Sequence, residues 1–329
     1  MKKILQIDGG GIRGIIPAVI LSHLEEKCGK PLCQCFDLIT GTSTGAIIGG
    51  AIAASVPASQ IRDLYINKGK TLFTPRTRFN PRNWIRGKYD QRPFIEEMEK
   101  FLDKLTLADL KNSRFMATAF NLSSQRTHFI KSWDPRDEDK KYKLVDVIAW
   151  SALSAVYYFD KINVPEFEWN DYQIDKLDSS PRLKKLGAVF QDGGQGAHNN
   201  TLGYILTEIL ANRWIQEEIY ILSLGTGGYS KPPSYEKAAQ FSITKQLKSY
   251  LLCQARGEST INQVLAAHYV SSLASPNEHP HITFKRIDKI LDNEDEDGLD
   301  KVEYIEKYQQ YGNKLISEIK LEDIELLKK

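Results

Sequence analysis

The sequence predicts an α/β fold, a three-layer sandwich with a central, mostly parallel sheet. Three observations carry that expectation. Short apolar runs end in glycine turns at residues 9–11, 41–45, 193–194 and 225–228. Segments with helical apolar spacing follow the first two of these turns. Strand and helix signals then alternate along the chain, which argues for parallel strands covered on both faces.

KILQID (3–8) reads as a short buried strand ended by Gly9-Gly10-Gly11. IIPAVILSHLEEKCG follows with apolar residues at 15, 16, 19, 20 and 24, the spacing of a helix. Pro17 lies in its first turn, where a missing N–H costs little, and Gly29 suits the C-cap. FDLITG and then STGAIIGGAIAAS repeat the strand–turn–helix pattern, stopped by Pro57. Residues 38–56 are apolar enough to span a bilayer, but their Gly, Ser and Thr content favours a buried strand, turn and helix. FMATAFNL (115–122) and HFIKSW (128–133) read as strands and VDVIAWSALSA (145–155) as a helix. AVFQDGG (188–194) and EIYILSLGTGG (218–228) are strands running into glycine turns. No linker or repeat divides the chain, so one domain over 1–329 is expected, with a helical C-terminal extension from about 286.

Composition is that of an ordinary globular protein, 41% hydrophobic and 26% charged. The 44 basic and 42 acidic residues leave a net charge of +2, and the basic residues are dispersed, so no nucleic-acid polymer is expected as a partner. The apolar run in MKKILQIDGGG is too short for a secretory leader. The four cysteines, 28, 33, 35 and 253, lack zinc-site spacing and read as reduced thiols. A cytoplasmic protein without metal or cofactor is the expectation. Asn293, Asp295 and Asp297 imitate half of a calcium loop, but the twelfth position is Tyr304 instead of glutamate.

The chemistry centres on GTSTG. A nucleophile elbow needs small residues two positions either side of the serine, and Gly41 and Gly45 flank Ser43 in that way. Thr44 opens the following helix, whose N-terminus favours negative charge. The alternative is a serine in a tightly packed turn. DGGGIRG (8–14) has three readings. Gly9, Gly10, Gly11 and Gly14, with the charge of Arg13, can hold an oxyanion or phosphate. The same glycines can form a dinucleotide loop, although no ribose-binding acid stands about 20 residues on. A structural turn is the third reading. None of the histidines at 23, 128, 198, 268, 279 and 281 sits at an obvious strand end. Asp192 does, before Gly193 and Gly194, and carboxyls gather at such ends in α/β proteins. His198, six residues beyond it, keeps a Ser–His arrangement open.

DGGGIRG, GTSTG and DGG, in this order, resemble the three motifs of the patatin-like phospholipase family. KYD (88–90), AWSALSAVYYF (149–159) and ILSLGTG (221–227) also resemble family blocks. The resemblance covers about residues 3–228. It implies a patatin-like fold with a Ser–Asp dyad: Ser43 as nucleophile, Asp192 as general base, and Gly10 and Gly11 with Thr44 holding the oxyanion. It further implies a phospholipid or lysophospholipid substrate met at a membrane surface, and no metal. Two departures stand near the motifs, Val156 in place of a proline, and His198-Asn199-Asn200 in place of Asn-Asn-Pro. In size and motif spacing the chain is also similar to phospholipase effectors of bacterial anti-phage defence, which implies a cyclic-nucleotide activator and a possible oligomer. Other bacterial and plant members of the family remain alternatives. The stretch 76–90, with Arg76, Arg78, Arg82, Arg86 and Lys88 among Phe79, Trp84 and Ile85, suits an anionic membrane surface or an ordinary solvated loop. Residues 229–260 contain an amphipathic stretch that could cap the site.

Overall fold

The computed structural model describes residues 1–329 apart from 78, 80–84, 103, 134–138, 170–183, 186, 196–197, 230–232, 253–258, 274–280 and 329. β1 (Lys2–Ile7) leads through a 3₁₀ turn, Gly11–Gly14, into α1 (Ile15–Cys28). Gly29 ends α1 in the left-handed region at φ 70°, as its C-cap position requires. β2 (Leu38–Gly41), α2 (Thr44–Ala53) and α3 (Ala58–Leu72) follow, so the apolar stretch 38–56 is a buried strand, turn and helix. Next come α4 (Arg92–Leu102), β3 (Arg114–Asn121), β4 (Arg126–Lys131), α5 (Leu144–Ala152) and β5 (Ile162–Val164). β6 (Glu168–Trp169) and β7 (Lys184–Lys185) make a separate two-stranded antiparallel sheet. β8 (Ala188–Asp192), α6 (Leu202–Ala211) and β9 (Ile219–Leu224) precede α7 (Tyr235–Ala239), α8 (Ile243–Leu252) and α9 (Ser259–Leu273). β10 (Ile282–Ile287), α10 (Ile305–Leu315) and α11 (Leu321–Lys328) complete the chain.

The main sheet runs β10–β9–β1–β2–β3–β8–β5, with β4 also paired to β3. From β10 to β3 every pairing is parallel. Beyond β3 the pairings of β4, β8 and β5 are antiparallel. The sheet is therefore mixed, with its parallel half where the glycine turns lie. The C-terminal expectation also needs correction. Residues 286 and 287 end the edge strand β10, paired in register with Ser223 and Leu224, a 3₁₀ turn covers Glu294–Asp297, and the α-helices start only at Ile305.

Strand alternation divides the core in two. Ile4, Leu38, Ile219, Ile221 and Ile282 face a layer formed by α6 and Ala267 of α9. Leu5, Ile7, Ile39, Leu222 and Leu224 face the other way, into the larger cluster beneath α1, α2, α3 and α10. α2 is enclosed by the sheet and by α3 and α5, which explains why it is apolar all round. The sandwich thus has three layers, with the strand ends of its parallel half converging on residues 8, 42 and 225.

Candidate active site

Ser43 has φ 55° and ψ −125°, an unusual conformation for a residue with a side chain. Such strain costs on the order of 1–3 kcal/mol. It is offset by the helix it launches, since Ile48 and Ile52 are buried and each contributes about 2 kcal/mol on leaving water. The flanking glycines are required by contact: a Cβ at Gly41 would lie 2.2 Å from the Gly45 carbonyl, and one at Gly45 would lie 2.2 Å from the Ile7 carbonyl oxygen. The Ser43 N–H donates to Ser151 Oγ at 3.0 Å, which fixes the turn against α5.

The glycine loop lies beside this elbow. Gly9 donates to the Asn199 carbonyl at 3.3 Å, and its own carbonyl accepts from Thr226 Oγ1 at 2.7 Å. Gly11 sits at φ 60° so close to Leu299 that a Cβ would be 2.1 Å from the Leu299 oxygen. That same oxygen accepts from the Ile12 N–H at 2.8 Å. Among the described residues no acceptor meets the amides of Gly10, Gly11 or Thr44. Gly14 packs against the Thr44 side chain, whose hydroxyl bonds the Tyr65 hydroxyl. Burial raises the Tyr65 pKa, so its phenol stays neutral.

Arg13 stands differently from the expectation of an anion-facing charge. Its guanidinium is buried and pairs with Asp297 at 2.9 Å, while also donating to the carbonyls of Thr226 and Gly298. The side chain anchors the 297–299 segment across the glycine loop, with its charge committed to that contact. The dinucleotide reading gains nothing either, because Thr226 and Leu299 close onto Gly10 and Gly11.

Asp192 ends β8, buried, and its Oδ1 accepts from the Gly194 N–H at 2.8 Å. Gly193 lies against Thr118 with no room for a methyl. The loop beyond is tied to the glycine loop by the asparagine pair. Asn199 Nδ2 donates to the Gly9 carbonyl at 3.4 Å. Asn200 Nδ2 donates to Asp8 Oδ1 at 2.8 Å and to Gln6 Oε1 at 3.0 Å. Arg286 completes this buried network through Asp8 and Ser223. His198 contributes its backbone, whose carbonyl accepts from Thr42 Oγ1 at 2.7 Å. The His198 ring packs edge-on against Phe129, and its Nδ1 is buried without a hydrogen-bond partner. Burial lowers its pKa, so the ring is neutral, and no hydrogen bond of the described residues joins it to Ser43 or Asp192.

Gly11, Ser43, Thr44 and Asp192 line one cleft of about 410 Å³. The rest of its wall is mainly apolar, including Phe73, Phe94, Phe159 and Leu299. The three phenylalanines are locked edge to face, at 5.2 Å for Phe73–Phe94 and 5.5 Å for Phe94–Phe159. The KYD block braces this wall. The backbone amides of Lys88 and Tyr89 donate to the carbonyls of Tyr157 and Tyr158 at 2.9 and 2.8 Å. The Lys88 and Tyr89 side chains both grip Asp300. Burial opposes the Asp300 charge, but the hydrogen bonds from Lys88 and Tyr89 outweigh it and hold its pKa below the ordinary value. Tyr89 is pushed up to about 12 by burial and by that carboxylate.

Sequence reasoning missed Ser151, Asn199, Asn200, Thr226 and Leu299 as supports of the site. The HNN stretch and KYD were visible as words, but their partners lie far away in sequence, and Leu299 holds the glycine loop through a backbone carbonyl that no residue type announces. In the 76–90 stretch, Arg76 and Arg86 pair with Asp160 at 3.2 and 2.7 Å, and Phe79 and Ile85 are almost fully exposed. Arg78, Arg82 and Trp84 lie outside the described residues. The acidic turn finds its cations within the chain: Asp297 holds Arg13, and buried Glu296 holds Lys307. Cys28, Cys33 and Cys35 are free and buried, and Cys253 lies outside the described residues. Among the described residues no helix is long and apolar enough to cross a membrane.

The family model of the patatin-like phospholipases matches residues 5–203, which hold the glycine loop, the elbow, Asp192 and every residue of the cleft wall except Leu299. The chain belongs to the patatin-like phospholipase family. Among curated relatives of this patatin-like chain, the cGAMP-activated phospholipase of Pseudomonas aeruginosa is 34% identical over 161 residues, 47% of each chain. The cGAMP-activated phospholipase of Escherichia coli is 27% identical over 253 residues, covering 70% of this chain and 64% of that protein. Patatin-like protein 1 of rice is 26% identical over 278 residues, covering 75% and 64%. The matched part therefore spans between about half and two thirds of these relatives' length.

Proposed function

We propose that this protein is a serine acyl hydrolase that cleaves acyl esters of phospholipids or lysophospholipids. The observation that carries the reading is the meeting of a strained Ser43, a buried Asp192 and the Gly11 backbone on one largely apolar cleft. Ser43 Oγ attacks the ester carbonyl carbon while the Asp192 carboxylate takes its proton. The amides of Gly10, Gly11 and Thr44 stabilise the tetrahedral oxyanion, which collapses as Asp192 returns the proton to the leaving alcohol. Water then attacks the acyl-serine with Asp192 again as base, and releases the fatty acid and Ser43. His198 has no part in this sequence, because its ring faces Phe129.

The names of the two bacterial relatives support a further element, activation by a cyclic nucleotide such as cGAMP. That activation, a role in antiviral defence, transient contact with a membrane surface through Phe79 and Ile85, an oligomeric active form and a cytoplasmic location belong to this same proposal. Fatty-acid release from lysophospholipid, measured with and without cyclic dinucleotides, tests it. Ser43→Ala and Asp192→Asn should each lower the rate by about 10³-fold or more. Labelling by a fluorophosphonate ester should disappear in Ser43→Ala. Retained hydrolysis in either variant overturns the dyad, and an unlabelled wild-type protein under every ligand condition overturns the hydrolase.

A further inference from the structure

A second cavity, of about 340 Å³, lies between α2, α3 and α4. Ile47, Ala51, Ile61, Leu64, Met98 and Leu102 line it, and Gln60 is the one polar side chain, exposed at the rim. Nothing in the catalytic reading uses it. Ile47 belongs to the walls of both this groove and the cleft that holds Ser43. Ile47 and Ala51 also fall four residues apart on α2 and so share one face of that helix, and Ser43, the residue that launches it, lies one turn before Ile47. From Ser43 to Ala51 this face runs about 12 Å along the axis.

We infer, on the basis of the hydrolase reading above, that this groove receives the distal part of the substrate's acyl chain, and that Ala51 and Leu64 set the preference for chain length. The carbonyl carbon is held at Ser43, so the chain must leave along a wall that offers no polar groups. Turning past Ile47 gives it that wall. A head group gains nothing there, because the groove presents neither a charge nor a hydrogen-bond donor apart from Gln60 at its edge. Water gains little for the same reason, since a buried water needs two or more polar partners. Each methylene that enters leaves water and gains about fourfold in binding. A butyryl chain ends before Ala51, whereas a palmitoyl chain reaches past it.

The test uses the full chain and compares kcat/KM for matched butyryl and palmitoyl esters in mixed micelles, with cyclic dinucleotide present. Ala51→Phe fills the groove. It should lower palmitoyl turnover by about tenfold or more, the loss of two or three buried methylenes, while butyryl turnover stays within about twofold. Leu64→Ala, which opens space and does not crowd the fold, should raise the palmitoyl-to-butyryl ratio. An unchanged ratio in Leu64→Ala, or an equal fall on both esters in an Ala51→Phe protein of unaltered melting temperature, overturns the inference. A fluorescent long-chain fatty acid titrated into Ser43→Ala protein separates this result from failure of the hydrolase reading. Binding there should weaken with Ala51→Phe added, whether or not the wild-type protein hydrolyses any ester, and equal binding counts against the groove.

Discussion

Ser43 and Asp192 reach the same cleft with unlike support. The elbow of Ser43 is held by Gly41, Gly45 and the Ile7 carbonyl, all on neighbouring parallel strands or the helix that follows at once. Asp192 ends a strand of the antiparallel half, and its loop is placed by Asn199 and Asn200 reaching across to Gly9, Asp8 and Gln6, some 190 residues away in sequence. The first geometry is written in a pentapeptide because its constraints are steric and local. The second depends on buried polar partners that only the finished sheet brings together.

Gly45→Ala attacks the local support and should have the largest effect on stability. Its methyl would meet a strand carbonyl that cannot rotate away, so a loss of about 3 kcal/mol or more is expected. Chemical denaturation measures it, and a loss below about 1 kcal/mol would show that the elbow has slack. Asn200→Ala attacks the long-range support by removing a buried donor from Gln6 and Asp8. A cost of about 1–3 kcal/mol is expected, together with reduced hydrolysis as the Asp192 loop loosens. Loss of stability without loss of activity would mean that Asn200 braces the sheet and not the loop.

The Asp300 brace should give a smaller, pH-dependent effect. Its folded pKa is depressed, so its stabilisation is present above the unfolded value of about 3.9 and is lost as pH falls through the lower folded value. Melting temperatures of wild type and Asp300→Asn should differ at pH 6 and converge toward pH 3. A gap that persists at pH 3 would place the effect in packing and not in charge. The smallest change is expected for His198→Ala, whose fatty-acid release should stay within about tenfold of wild type, far above the loss that follows removal of a catalytic base. A collapse of activity in a folded His198→Ala protein would restore the triad alternative.

β1, β2 and β9 were legible because each ends in a glycine turn, and α1 because its apolar residues recur at helical spacing. β8 was legible too, but not its antiparallel partnership with β3 and β5, since alternation along FQD says nothing about which neighbour it meets. ITFKRI was not read as a strand, because no glycine turn follows it, and it lies at the edge of the sheet. Arg13 was misread for a related reason. A cation within a glycine loop invites an anion from outside, and nothing near residue 13 in the chain marks Asp297 as the partner that supplies one from within.

The contact of the glycine loop with Leu299 also has a meaning in time. Arg13 and Gly298 are 285 positions apart, and a ribosome adding about 5–20 residues per second takes roughly 15–60 s to cover that distance. In the last part of that interval, once residue 227 has been added, a nascent chain carries every short motif of the family without the carbonyl that steadies its opening loop. Maturation of the site is therefore a late event in synthesis. A truncation between residues 227 and 299 yields a polypeptide that looks complete in its motifs and is unfinished in its architecture.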